Sequence, residues 1–180
     1  MNKNLPFEPD DKDSLNLNSV ENFIKQASQP NEILKHSIRN DKSIYNVLIV
    51  DDHVSFQKLL ELTLSMNPQI GVIDCVGSGE QSIIQAQLVH YDIIFMDAMM
   101  PGIDGYEACS NLRAMPEYKF TPIIMITGLT GHEDEAKAII AGSTAFLTKP
   151  VNQVRLKDLL TRVFFMIEHK KSQHPYTTQA

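Results

Sequence analysis

Cysteine is scarce in this chain: Cys75 and Cys109 are the only two in 180 residues. Their spacing fits no CxxC pattern and no histidine completes a zinc set, which argues against a sulfur-held metal. Their apolar neighbourhoods, VIDCVG and YEACSNL, predict two small buried side chains. Long apolar runs are missing as well. None approaches the roughly 20 residues that cross a bilayer, and the opening MNKNLPFEPD lacks a signal-peptide core. The expectation is a cytoplasmic protein with no membrane insertion and no disulfide. Basic stripes are absent too. Net charge is −6, and from residue 44 onward 10 Lys/Arg face 15 Asp/Glu, so the folded part offers no footprint for nucleic acid. The short HKKSQH stretch is the exception.

What is present is an ordinary globular composition, 43% apolar and 21% charged, enough for one domain with extra segments. The first 43 residues are polar and carry Pro6, Pro9 and Pro30. Disorder is expected up to about Asn18, then an amphipathic helix capped by Ser19 and striped by Val20, Phe23, Ile24 and Ala27. A second, weak helix through Ile33, Leu34 and Ile38 is also readable. The domain proper is expected over residues 44–169, with a flexible tail at 170–180.

From Tyr45 onward short apolar runs alternate with helix-like stripes, the sequence form of repeated βα units. Strands are expected at Asn46–Val50, Ile70–Val76, Asp92–Met96, Thr121–Ile126 and Thr144–Leu147. Helices are expected at Val54–Met66, Gly79–Val89, Gly105–Ala114, His132–Ala141 and Asn152–Glu168. The first helix would bury Phe56, Leu59, Leu60, Thr63 and Leu64; the last would bury Val154, Leu159, Leu160, Val163, Phe164 and Ile167. Runs such as VLIV, IIF and PIIMI imply strands buried on both faces, hence a parallel sheet covered by helices on each side. Right-handed crossovers then give a doubly wound α/β fold, whose chemistry lies beyond the carboxyl ends of its strands.

Those ends carry Asp51 and Asp52 after the first strand, Asp97 after the third, Thr127 after the fourth and Lys149 after the fifth. Each residue alone has an ordinary structural reading: Asp52 as a helix cap, Thr127 as a turn residue, Lys149 as a solvated lysine. Together, carboxylates converging on one crevice would repel unless a cation compensates, and all-oxygen donors suit Mg2+ rather than Zn2+.

At this point the residues from about Ile44 to Met166 resemble the receiver domains of bacterial response regulators, through VLIVDDH, IIFMDAMMPGIDGYE, PIIMITG and AFLTKP. The resemblance implies a CheY-like five-stranded parallel sheet of order 2-1-3-4-5. It makes Asp97 the phosphoacceptor, and Asp51, Asp52, Asp97 and the backbone carbonyl of Met99 the ligands of Mg2+, with Mn2+ as a substitute. It gives Thr127 and Lys149 contacts to the phosphoryl group, Phe146 the aromatic switch position, and Pro150 a cis peptide bond. It also implies a donor, a sensor histidine kinase or a histidine phosphotransfer protein, and an output partner met by the fourth helix, fifth strand and fifth helix. Such a domain is a signalling phosphoacceptor that promotes its own phosphorylation and dephosphorylation, not an enzyme for a separate substrate.

Two positions depart from familiar members. Met99 and Leu129, each two residues after a pocket residue, are apolar where others often carry polar groups, which implies a hindered attacking water and a long-lived aspartyl phosphate. About ten residues follow the last helix, so the output is expected in a partner, and a phosphorelay shuttle between histidine-containing proteins is the alternative use. Homodimerisation through the N-terminal stripe is left open. A haloacid-dehalogenase-like phosphatase would need a second Asp where Met99 stands, and a flavodoxin-like binder would need a phosphate loop after the first strand.

Overall fold

The computed structural model of the chain describes residues 43–128 and 131–173. The helices read from Val20 and from Ile33, the tail beyond residue 173, and Leu129 lie outside the described residues. Five strands, β1 (Tyr45–Val50), β2 (Ile70–Val76), β3 (Ile93–Asp97), β4 (Ile123–Thr127) and β5 (Ala145–Thr148), form one parallel sheet of order β2-β1-β3-β4-β5. Between and after them run α1 (Val54–Ser65), α2 (Gly79–Leu88), α3 (Gly105–Ala114), α4 (His132–Ile140) and α5 (Gln153–Gln173), with a 3-10 turn at Pro116–Tyr118. Among the described residues no helix is long and apolar enough to cross a membrane.

Alternation along the strands divides the core in two. Leu48, Val50, Ile94, Met96, Ile123 and Met125 point to one face, where Ala86, Ala108, Leu112 and Ala138 of α2, α3 and α4 cover them. Val47, Ile49, Ile93, Phe95, Ile124 and Ile126 point to the other, beneath Leu60 and Leu64 of α1 and Leu156, Leu160 and Phe164 of α5. Strands buried on both faces can afford no polar alternation, hence the continuous apolar runs in β1, β3 and β4. The edge strand β2 is only partly covered.

The structure moves several sequence expectations. β3, β4 and β5 each start and end one or two residues later than expected, because pairing continues to Asp97, Thr127 and Thr148. Asp97 and Thr127 are therefore the last residues of their strands, held by the ladder rather than by loops. Leu59 and Val154 are exposed, against the expected stripes. In α1 the buried line runs through Gln57, Leu60 and Leu64, a spacing the apolar residues alone conceal. Cys75 is exposed, because it sits on the edge strand, whereas Cys109 is buried. Asp52 does not cap α1; His53 holds that position and makes no side-chain cap bond.

Specific caps start one helix on each face of the sheet. The Asp104 carboxylate accepts from the Glu107 amide at 2.8 Å and starts α3, and Asn152 accepts from the amides of Val154 and Arg155 at 2.9 and 3.2 Å and starts α5. Gly102 supplies the left-handed turn before α3, with φ of +79°.

Candidate functional site

Continuing the alternation past the strand ends predicts which side chains meet. Asp51 follows Val47 and Ile49, Asp97 follows Ile93 and Phe95, and Lys149 follows Ala145 and Leu147, all on the face that α1 and α5 cover. The structure brings these three together. Lys149 Nζ donates to Asp51 Oδ2 at 2.6 Å and to Asp97 Oδ2 at 2.8 Å. Its ammonium also lies 4.3 Å from the centre of the Phe56 ring. Asp51 is 1% exposed and Asp97 5%, so both carboxylates are buried beside a single cation.

Backbone and side-chain donors fix the carboxylates. The His53 amide donates to Asp51 Oδ1 at 2.8 Å, and the Met99 amide to Asp97 Oδ1 at 3.3 Å. From α1, the buried Gln57 carboxamide donates to the carbonyls of Asp51 (2.6 Å) and Val76 (2.9 Å), tying the acidic loop to the ends of β1 and β2. The tight packing of α3 closes the other side. The Gly105 amide donates to the Ala98 carbonyl at 3.0 Å, so close that a β-carbon at residue 105 would fall on the Asp97 carbonyl oxygen.

Asp52 lies at the exposed rim, and the His53 ring stands beside it with Nδ1 2.8 Å from Asp52 Oδ1 and 3.4 Å from Asp51 Oδ1. One ligand atom from each of Asp51, Asp52, His53 and Asp97 falls within 4.8 Å of the others. Thr127 is fully buried at the end of β4. Phe146 is partly buried against the core on the α2/α3 face. The Lys149–Pro150 peptide bond is cis. Met99 is exposed.

Electrostatics follow from this crowding. Burial pushes the Asp97 carboxyl above its ordinary value; Lys149 and the Met99 amide pull it down, while Asp51 adds to the rise. For Lys149, burial disfavours the ammonium, but its hydrogen bonds to Asp51 and Asp97 outweigh that and hold it above the usual lysine value. Among the described residues, three carboxylates against one ammonium leave the pocket short of positive charge. Its donors are mostly hard oxygens, which is the chemistry of a divalent-cation site.

His53, Gln57 and Gly105 were not singled out by sequence, and Phe56 was read only as part of an apolar stripe. A polar residue on the buried line of α1 would have been the signal for Gln57, and adjacency to the acidic pair the signal for His53.

A family model described as the response regulator receiver domain matches residues 47–161. The response regulator PleD of Caulobacter vibrioides is 34% identical over 110 residues, which cover 61% of this chain and 24% of PleD. The chain thus spans about a quarter of that relative's length. The chemotaxis protein CheY4 of Vibrio cholerae superposes with a TM-score of 0.63 at 32% identity, covering 67% of this chain and 99% of CheY4. The receiver domain of a Pseudomonas aeruginosa sensor histidine kinase, solved with a magnesium ion coordinated in its active site cleft, gives a TM-score of 0.62 at 29% identity, covering 68% and 98%. With the sheet order, the buried carboxylates and this match over more than half its length, the chain belongs to the response regulator receiver domain family of two-component signalling.

Proposed function

We propose that the domain accepts a phosphoryl group on Asp97 from a phosphohistidine, on a sensor histidine kinase or a histidine phosphotransfer protein. The observation that carries this reading is Lys149 Nζ, which bonds Asp51 and Asp97 simultaneously. A nucleophilic carboxylate must stay ionised although buried, and this ammonium favours the ionised form against the cost of burial. In the transfer, an Asp97 oxygen forms a P–O bond as the P–N bond of the donor breaks, leaving its electron pair on the donor imidazole. No general base is needed, because a carboxylate carries no proton to remove at neutral pH.

Asp51, Asp52, Asp97 and the Met99 carbonyl would hold Mg2+, with Mn2+ as a substitute. The donor set fits, because oxygen ligands cluster beside a deficit of positive charge. When bound, the ion neutralises charge on the transferring oxygens. Lys149 would leave Asp51 and follow the phosphoryl group, and the Thr127 hydroxyl would bond the same group. Movement of Thr127 would free space for Phe146, which shares its face, to turn inward and alter the surface formed by α4, β5 and α5. A downstream protein would read that surface. The same chemistry serves a phosphorelay shuttle.

Phosphotransfer profiling tests the reading: the chain is mixed with a panel of autophosphorylated histidine kinases and phosphotransfer proteins. Rapid loss of label from one donor with gain on this chain is expected. Failure with every donor, while the same donors label other receivers, would contradict it.

A further inference from the structure

We propose that the Tyr106 hydroxyl is a second switch contact, unpaired in this structure and donated to the Asp134 carboxylate of α4 once Asp97 carries a phosphoryl group. This deepens the reading of Asp97 as the acceptor and rests on it.

The donor is on α3. Tyr106 lies in the first turn of that helix and packs against the core cluster that holds Ala138 and that Phe146 also meets. Its hydroxyl is buried, yet among the described residues it has no hydrogen-bond partner. Buried polar side chains are nearly always bonded, so this hydroxyl favours any rearrangement that brings it an acceptor.

The acceptor is on the neighbouring helix. Asp134 precedes Ala138 by one turn, so the two share the face of α4 that meets the same cluster. The Asp134 side chain is 16% exposed, and its ion pair with Lys137 reaches only 4.0 Å. Burial raises the Tyr106 phenol, and Asp134 is the carboxylate that adds most to the rise, ahead of Asp104 and Asp97. A phenol donating to a carboxylate makes a charge-assisted bond, stronger than a neutral one.

The helix that carries the acceptor is lightly held. Ala138 is the one buried side chain among the described residues of α4, and no side chain caps its start. Three residues separate Thr127 from Gly131, which opens the helix. Gly105 of α3 packs on the end of β3, so a Thr127 drawn to Asp97 pulls the first turn of α4 towards α3 and closes Asp134 on Tyr106.

The test uses the full chain with Mg2+ and beryllofluoride, a reversible stand-in for a phosphoryl group on a carboxylate, with binding followed by fluorine NMR. Tyr106→Phe and Asp134→Ala should each weaken binding by about tenfold, and the double variant no further than either alone. Tyr118→Phe, whose lost hydroxyl bonds lie on α2, should stay within about twofold of wild type. With carbon-labelled tyrosine, the Tyr106 Cζ resonance, assigned by its loss in Tyr106→Phe, should shift when beryllofluoride binds wild type and stay in place in Asp134→Ala. A Tyr106→Phe affinity equal to that of wild type or of Tyr118→Phe, independent losses in the double variant, or an unmoved resonance would overturn the contact and leave Asp97 as the acceptor. Wild type that does not bind beryllofluoride would overturn both.

Discussion

Gly105 stands where the first turn of α3 meets the end of β3. A β-carbon there would fall on the Asp97 carbonyl oxygen, 2.8 Å from the Asp97 carbonyl carbon and 2.9 Å from the Ala98 Cα. Ordinary carbon contacts are about 3.5–4.0 Å, so something must retreat by about 1 Å. The strand end cannot. Asp97 is registered against Ile126, and the Ala98 amide donates to the Ile126 carbonyl at 3.0 Å. In Gly105→Ala, α3 must therefore withdraw and lose the 3.0 Å bond from residue 105 to the Ala98 carbonyl. Overpacking of this kind costs about 1–3 kcal/mol and the lost hydrogen bond about 1 kcal/mol, while alanine recovers about 0.4–1 kcal/mol by restricting the unfolded chain. The net loss should be about 1–4 kcal/mol. The chain has no tryptophan, so urea unfolding followed by far-ultraviolet circular dichroism is the suitable assay. With a urea slope of about 1–3 kcal/mol per molar, the midpoint should fall by about 0.3 M or more. Gly128→Ala is the control, because among the described residues nothing lies within 4 Å of its added carbon. A Gly105→Ala loss below about 0.5 kcal/mol, or one equal to the control, would refute the reasoning.

Two tyrosine substitutions should move stability in opposite directions. The Tyr106 hydroxyl is buried without a hydrogen-bond partner among the described residues, so Tyr106→Phe should stabilise by about 1 kcal/mol, seen as a rise in Tm. Tyr118→Phe should destabilise by about 1–3 kcal/mol, because its hydroxyl contacts the carbonyls of Ala86 (3.0 Å) and Val89 (2.7 Å) and receives the Tyr91 amide (3.3 Å). Burial holds the phenols of Tyr45, Tyr91, Tyr106 and Tyr118 above their ordinary value, that of Tyr91 at about 12. Their protonated forms are favoured by folding, so this stability is complete below about pH 10 and is lost as pH rises towards 12. Phenolate absorbance should show at most one of the five tyrosines ionising near pH 10 in the folded chain; four or more ionising there would contradict it. Met99→Asn combined with Leu129→Glu should shorten the lifetime of the aspartyl phosphate, measured as loss of label, and an unchanged lifetime would remove the shielding idea.

The sheet was legible because burial on both faces leaves no room for polar residues in β1, β3 and β4, and their apolar runs mark them even without periodicity. The pocket was legible through placement: Asp51, Asp97 and Lys149 end three different strands on one face. Hydropathy failed where exposure depends on neighbours. Leu59 and Val154 lie off the covered lines of their helices, and Cys75 lies on an edge. It also concealed Gln57, a polar side chain buried because two backbone carbonyls at the pocket need a donor. His53 escaped notice because its approach to two carboxylates is a matter of distances that spacing along the chain does not report.

Asp97 as the acceptor is the centre of the account, and one mass measurement tests it most directly. The intact chain is incubated with acetyl phosphate and Mg2+, then weighed beside Asp97→Asn treated in the same way. Addition of a single phosphoryl group to the wild type, absent from the variant, is the predicted result. Equal labelling of both chains, or none in the wild type, would contradict it.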